Sequence, residues 1–265
     1  MPKIKENGLI DKFWVFGGPT PHWGGSLEKD CLEKGCEFFG IHNAFYVYGP
    51  SDNEMLDTLK NLKRVACHAG FACRNPGVSS GLIEDASKIN ALSLQYQNIV
   101  GAISDDFFLE FSLIESISKN VKLPGRTPDD LEKMYSNLKK NRPDLKYYTV
   151  IYAHQLDLVD YSNYLPYIDA PVLWLWCQSQ IKDMEKYVMK CKEVFKGKPV
   201  FQGVFMFDYG EKSKPMPLDL LKLQLEKSLE LLKADTIQGV VILGDREIKK
   251  CPEQAELVRS FLKGI

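Results

Sequence analysis

No stretch of this 265-residue chain approaches the ~20 apolar residues that a membrane-spanning helix needs. The N-terminal Met1-Pro-Lys-Ile-Lys-Glu-Asn-Gly has a positive start but no apolar segment before Asp11-Lys12, so no secretory leader is read there and a cytoplasmic location is expected. A charge excess is missing too. The 34 Lys and Arg stand against 35 Asp and Glu, and the basic residues are scattered, with Lys139-Lys140 and Lys249-Lys250 reading as solvated helix and loop positions. Neither nucleic acid nor a membrane surface is implied as a partner. The seven cysteines are an odd number, and Cys31-x4-Cys36 and Cys67-x5-Cys73 have neither zinc-ribbon nor redox spacing, so they read as reduced thiols. No Gly-x-Gly-x-x-Gly follows the first apolar run. Gly17-Gly18-Pro19 and Trp23-Gly24-Gly25 are wrongly spaced for a dinucleotide loop or a P-loop. No Gly/Ser tract or charge block divides the chain, and the expectation is one domain over residues 1–265 without a cofactor.

What is present is a repeated alternation. Eight apolar runs, Phe13–Gly18, Glu37–Tyr48, Arg64–Ala69, Ile99–Ser104, Tyr147–Ala153, Pro171–Trp176, Val200–Phe207 and Gly239–Gly244, are separated by amphipathic stretches. Leu82–Gln97, Pro128–Lys140, Ile181–Phe195, Leu218–Leu232 and Glu253–Leu262 carry apolar residues at three- and four-residue intervals, with shorter versions at Ser26–Lys34 and Glu54–Leu62. Thr127-Pro128-Asp129-Asp130 has the order of a helix start. Strand and helix alternating eight times over predict parallel pairing and an α/β fold, a single (β/α)8 TIM barrel, with an open doubly wound sheet as the competitor. The longer connections, Pro19–Gly25, Gly49–Asn53, Cys73–Gly81, Phe108–Arg126 and Tyr209–Pro217, all follow strands and would lie on the catalytic face.

The same runs break into polar residues at one end. Asp105-Asp106 caps Ile99–Ser104, and His42, His68, His154, Gln178, Asp208 and Asp245 occupy comparable positions. Buried strand ends seldom collect charge without a use. Alternation along each strand then assigns faces. If Ile103 packs outward, Ala102, Ser104 and Asp106 line the barrel and Asp105 points to the cleft wall. If Leu173 and Leu175 face helices, Trp174, Trp176 and Gln178 point in. Phe205 and Phe207 are placed outward, leaving Gln202, Met206 and Asp208 inward, while strand five offers Tyr152 and His154, with Tyr209 following strand seven. Trp174 and Trp176 read either as core filler or as stacking surfaces. Together with histidines, Gln178 and carboxylates they suit a small carbohydrate, whose C–H face stacks on indole and whose hydroxyls take directional hydrogen bonds.

With that order laid out, the chain resembles the (β/α)8-barrel glycoside-hydrolase superfamily. Ile103-Ser-Asp-Asp-Phe-Phe108 resembles the strand-four motif of substrate-assisted hexosaminidases of the O-GlcNAcase type, and Phe207-Asp208-Tyr209 a sugar-binding segment of that family. The resemblance implies Asp105 as the group that polarises an acetamido substituent and Asp106 as general acid/base. The Asp-Asp-Phe-Phe, Tyr-x-His-Gln-Leu-Asp and Phe-Asp-Tyr-Gly segments also resemble an uncharacterised bacterial family, which implies no activity. The spaced Asp-x-x-Asp-x-Asp-x-Glu of chitinases is absent, and aspartates stand where the largest retaining clan has strand-end glutamates.

Glycoside hydrolysis needs one protonated carboxyl and a second group on the opposite face, and paired aspartates supply that split because mutual repulsion raises one pKa. An Asp106/Asp208 pair, each a methylene shorter than Glu, would sit roughly 8 Å apart and favour inversion. An Asp105/Asp106 pair would favour the substrate-assisted route. Two other readings remain: a metal-dependent sugar isomerase, epimerase or lyase with His42, His68, Asp106, His154 and Asp208 converging on a cation, and an inactive carbohydrate-binding barrel.

Overall fold

The computed structural model describes residues 8–20, 26–70, 81–108 and 127–265. Eight parallel strands close into a barrel: β1 (Phe13–Gly17), β2 (Asn43–Tyr46), β3 (Arg64–His68), β4 (Ile99–Ser104), β5 (Lys146–Tyr152), β6 (Ala170–Trp174), β7 (Phe201–Val204) and β10 (Gly239–Leu243), ordered β1-β10-β7-β6-β5-β4-β3-β2. A two-residue antiparallel ribbon, β8 (Phe207–Asp208) with β9 (Lys214–Pro215), stands after β7. The helices among the described residues are α1 (Cys31–Phe39), α2 (Asn53–Leu59), α3 (Leu82–Leu92), α4 (Pro128–Leu138), α5 (Met184–Val194), α6 (Leu218–Lys233), α7 (Asp245–Lys250) and α8 (Pro252–Leu262). None is long and apolar enough to cross a membrane. The six described cysteines are free thiols.

Local chemistry explains the boundaries. Thr127 accepts from the Asp130 N–H while Asp130 accepts from Thr127, a reciprocal cap that starts α4 with Pro128 in its first turn. Gly40, at φ 68°, ends α1. That ending corrects the second apolar run: Glu37–Phe39 belong to α1, whose Leu32, Cys36 and Phe39 share a buried face, and β2 begins only at Asn43. Gly101 lets β4 approach β5 closely, since a Cβ there would lie 2.0 Å from the Lys146 carbonyl oxygen.

The barrel interior is aromatic. Trp14 of β1, Phe45 of β2, Tyr148 of β5 and Phe201 of β7 meet with ring centroids 4.6 Å (Trp14–Phe45), 5.0 Å (Phe45–Tyr148) and 5.4 Å (Tyr148–Phe201) apart. Because β2 and β5 are not neighbours, these rings meet only across the inside. A second layer stacks above, with Trp174 of β6 against Phe16 of β1 at 5.4 Å and Phe205 at 4.5 Å. Gly203 makes room for it, since a Cβ there would stand 2.2 Å from the indole. Filling by layers of side chains from alternate strands is the rule for this architecture.

Two strand phases are thereby corrected. Ile103 is in register with inward Tyr148 and so faces in, while Ser104 faces out, accepting from the Tyr147 hydroxyl at 2.8 Å and donating to the Ala69 carbonyl at 2.6 Å. In β7, Phe201 and Gly203 face in, as does Phe205 just after it; Gln202, in register with Leu173, is buried on the other face, and Met206 is buried but does not line the cavity. The expected inward placement of Trp174 and Trp176 is what the structure has.

Candidate active site

Above the second aromatic layer, at the C-terminal ends of the strands, lies a cavity of about 150 Å³. Its floor is Phe16, Trp174 and Leu243, the last inward residues of β1, β6 and β10. Trp176, Phe205 and Tyr209 form one wall, with Trp176 stacked on Tyr209 at 5.8 Å and 24°. Tyr48, Asp105, Asp106 and Tyr152 form the opposite side, and Arg246 closes the ring.

Each aspartate has its own tyrosine. The Tyr152 hydroxyl donates to Asp106 Oδ1 at 2.8 Å, and Tyr48 is hydrogen-bonded to Asp105. Burial holds both phenols well above their ordinary pKa, so they remain donors. Burial also pushes Asp105 up to about 6 from 3.8, opposed by hydrogen bonds from the Asp106 backbone and Tyr48 and by the charge of Arg246. The chain reaches this arrangement at a backbone cost. Tyr48 at φ 74° and Asp106 at φ 51° are in the left-handed region, and strain of this kind persists where surrounding structure holds it, often at functional sites.

Arg246 is held from behind. Its Nε and Nη2 donate to Glu247 Oε1 at 2.8 and 2.6 Å, Nη2 also donates to the Tyr209 hydroxyl, and that hydroxyl donates to Glu247. Glu247 is 1% exposed, so the guanidinium is fixed by a buried carboxylate.

Of the sequence-derived site residues, Asp105, Asp106, Tyr152, Trp176 and Tyr209 share this cavity. The others do not line it. His42 precedes β2 at the opposite end of the barrel, exposed, its carbonyl accepting from Lys63; the early strand start assumed for β2 is what misplaced it. His68 ends β3 fully buried, Nε2 2.8 Å from the Gly70 carbonyl and Nδ1 without a partner, and burial lowers its pKa. His154 lies in a 3-10 turn, stacked on Tyr152 at 5.7 Å and 4°. Gln178 opens another 3-10 turn, Gln178–Asp183. The fourth histidine of the chain, His22, which follows the first apolar run, lies outside the described residues. Asp208, expected as a catalytic partner, is 1% exposed and accepts the backbone N–H groups of Gly210, Glu211 and Lys212 at 3.2, 3.2 and 2.9 Å, which commits its oxygens to shaping that loop. Asp208 therefore does not line the cavity opposite Asp106. Asp245 begins α7 beside β1, accepting from the Gly18 N–H at 3.3 Å, and borders a separate cavity of about 380 Å³ between α1 and α7; burial raises it to about 6.

The five residues His42, His68, Asp106, His154 and Asp208 do not converge, and among the described residues no group of three or more His, Cys, Asp or Glu is placed to share a metal ion. Sequence reasoning missed Tyr48, Phe205 and Arg246. Tyr48 ends its apolar run before Gly49-Pro50, and Arg246 sits one residue past Asp245, so the strand-exit rule that picked the aspartates reaches both when aromatic and basic residues are admitted.

No family profile matches the chain and no curated protein matches its sequence. Solved structures do. An intracellular xylanase from Thermoanaerobacterium saccharolyticum is 14% identical with a TM-score of 0.54, the match covering 92% of this chain and 89% of that one. An endo-laminarinase from Formosa is 8% identical with a TM-score of 0.57, covering 90% and 79%. An EDTA monooxygenase from Chelativorans is 8% identical with a TM-score of 0.52, covering 96% and 94%. These likenesses concern the (β/α)8 fold, which hosts many chemistries.

Proposed function

We propose that the protein hydrolyses a small glycoside, with Asp105 as the proton donor and Asp106 as the carboxylate that stabilises positive charge at the anomeric carbon. The observation that carries this reading is the unequal environment of two adjacent carboxyls in one aromatic cavity. Asp105, its pKa raised to about 6 by burial, holds its proton up to about pH 6, well above the ordinary carboxylate range, whereas Asp106 accepts a hydrogen bond from Tyr152. The sequence resemblance implies these roles the other way round; the environments favour the exchange. As the glycosidic C–O bond breaks, Asp105 protonates the leaving oxygen and Asp106 faces the oxocarbenium-like carbon. Water then adds to that carbon and its proton returns to Asp105. Trp176 and Tyr209 supply ring faces for the sugar. Glycoside-acting enzymes among the structural neighbours agree with this reading through the fold alone.

The test is turnover of a panel of aryl glycosides. Asp105→Asn should lose about 10²–10⁴-fold on poor leaving groups and much less on activated ones, which need little protonation. Equal losses across the series would remove Asp105 as the acid. Sugar binding without turnover by wild type would reduce the barrel to a carbohydrate-binding module.

A further inference from the structure

Glu247 does not line the cavity, yet it holds two of the groups that do. Its Oε1 accepts from Arg246 Nε at 2.8 Å, from Arg246 Nη2 at 2.6 Å and from the Tyr209 hydroxyl. One oxygen of a carboxylate that is 1% exposed thus anchors both the guanidinium that closes the cavity and a ring of its wall. The contact is not a default of the helix. Residues i and i+1 of a helix do not face each other, so Arg246 reaches Glu247 only by folding back along α7, while Tyr209 comes to the same oxygen from the connection after β7, stacked on Trp176 at 5.8 Å. Arg246 in turn acts on Asp105 and on Tyr48, its positive charge favouring the ionised form of each. The other groups around Asp105, among the described residues, are Asp106, Tyr152 bonded to Asp106, and His154 stacked on Tyr152. Lys250 lies over the Phe207 ring at 3.3 Å and the Tyr209 ring at 5.0 Å, so its charge too stands beside this wall.

We propose that Glu247 is a positioning residue for the glycoside site: from outside the cavity it fixes the Arg246 guanidinium beside Asp105 and the Tyr209 ring against Trp176, and its negative charge limits how much of the Arg246 charge reaches the acid. This inference rests on the glycoside reading and adds to it a group that touches no substrate. An unopposed guanidinium at Arg246 would stabilise the Asp105 carboxylate and release its proton at lower pH, so the buried carboxylate behind Arg246 keeps Asp105 a usable donor. The same node holds the wall ring by its hydroxyl, which leaves the face of Tyr209 in one orientation for the sugar.

The experiment is the pH profile of kcat/KM for the full chain on an aryl glycoside with a poor leaving group, in wild type, Glu247→Gln and Tyr209→Phe. Glu247→Gln removes a charge and keeps an acceptor oxygen at the node, while Asp106, His154 and Lys250 are the same in every variant. Its decline above about pH 6 should begin at a pH lower by roughly 0.5 unit or more than in wild type, because Arg246 is no longer opposed. Tyr209→Phe changes no charge, so its decline should stay where wild type has it, and the loosened ring should raise KM by about 3–10-fold, more than it lowers kcat. A folded Glu247→Gln whose profile only drops in height, or moves to higher pH, would overturn the inference and leave the glycoside reading standing. If Glu247→Gln does not fold, Tyr209→Phe decides alone, and an unchanged KM overturns the inference. Absence of turnover by wild type on every aryl glycoside would remove both.

Discussion

Replacing Asp105 by Asn should make the folded protein more stable at neutral pH while disabling the proposed chemistry. Burial raises the Asp105 pKa from 3.8 to about 6, and each pH unit is worth about 1.4 kcal/mol, so keeping this carboxyl ionised in the fold costs about 3 kcal/mol. The sign follows from proton binding. Between about pH 4 and pH 6 the folded chain holds a proton that the unfolded chain has released, so wild-type stability falls as pH rises through that window and the penalty is constant above it. Asn carries no charge and its carbonyl oxygen still accepts from Tyr48, which removes the penalty and keeps that hydroxyl paired. Asp105→Asn should therefore gain up to about 3 kcal/mol at pH 7.5, or roughly 6–12 °C in Tm for a chain of this size, and nearly nothing at pH 4. Urea unfolding followed by tryptophan fluorescence at both pH values measures this, with an unchanged m-value as the control. A variant less stable than wild type at pH 7.5, or one whose difference is the same at both pH values, would refute the argument. Such a trade of stability against function is common where a site holds a group at an unfavourable charge.

The same ionisation sets a kinetic expectation: kcat/KM on poor leaving groups should decline as pH rises through about 6, and the limb should vanish in Asp105→Asn. Asp208→Ala strips three backbone N–H groups of their acceptor and should cost about 1–3 kcal/mol in urea unfolding, while the folded protein keeps kcat within a few-fold, a loss matching that of Asp105→Asn being the contrary result. Gly203→Ala drives a methyl into the Trp174 ring and should destabilise by about 1–3 kcal/mol, with an altered tryptophan emission because that indole floors the cavity. Thr127→Ala removes one half of the reciprocal cap on α4 and should cost about 1 kcal/mol without touching sugar binding.

The barrel was readable because its signal is periodic and repeated. Eight apolar runs separated by amphipathic stretches leave few architectures, and Trp174 and Trp176 pointed inward as alternation requires. The Asp105-Asp106 pair was readable for a different reason: two adjacent carboxyls at the end of a run buried on both faces demand an explanation that composition does not supply. The helix-to-strand boundary near Phe39 was not readable, since an amphipathic helix end followed by a short strand gives one continuous apolar stretch, and His42 went with it to the wrong end of the barrel.

Strand order, approximate element positions and the aspartate pair are thus contained in local pattern, which depends only on neighbours along the chain. Which face of β4 and β7 looks inward is not, because an apolar strand in a parallel barrel is buried on both sides and its sequence carries no polar phase. That choice was made by the aromatic layer of Trp14, Phe45, Tyr148 and Phe201, four side chains brought together from strands far apart in sequence. The same tertiary packing pairs Tyr48 with Asp105, sets Tyr152 on Asp106 and brings the Tyr209 hydroxyl against Arg246 and Glu247. Proton affinities and hydrogen-bond commitments come from burial and long-range partners, and those exist only once the barrel has closed.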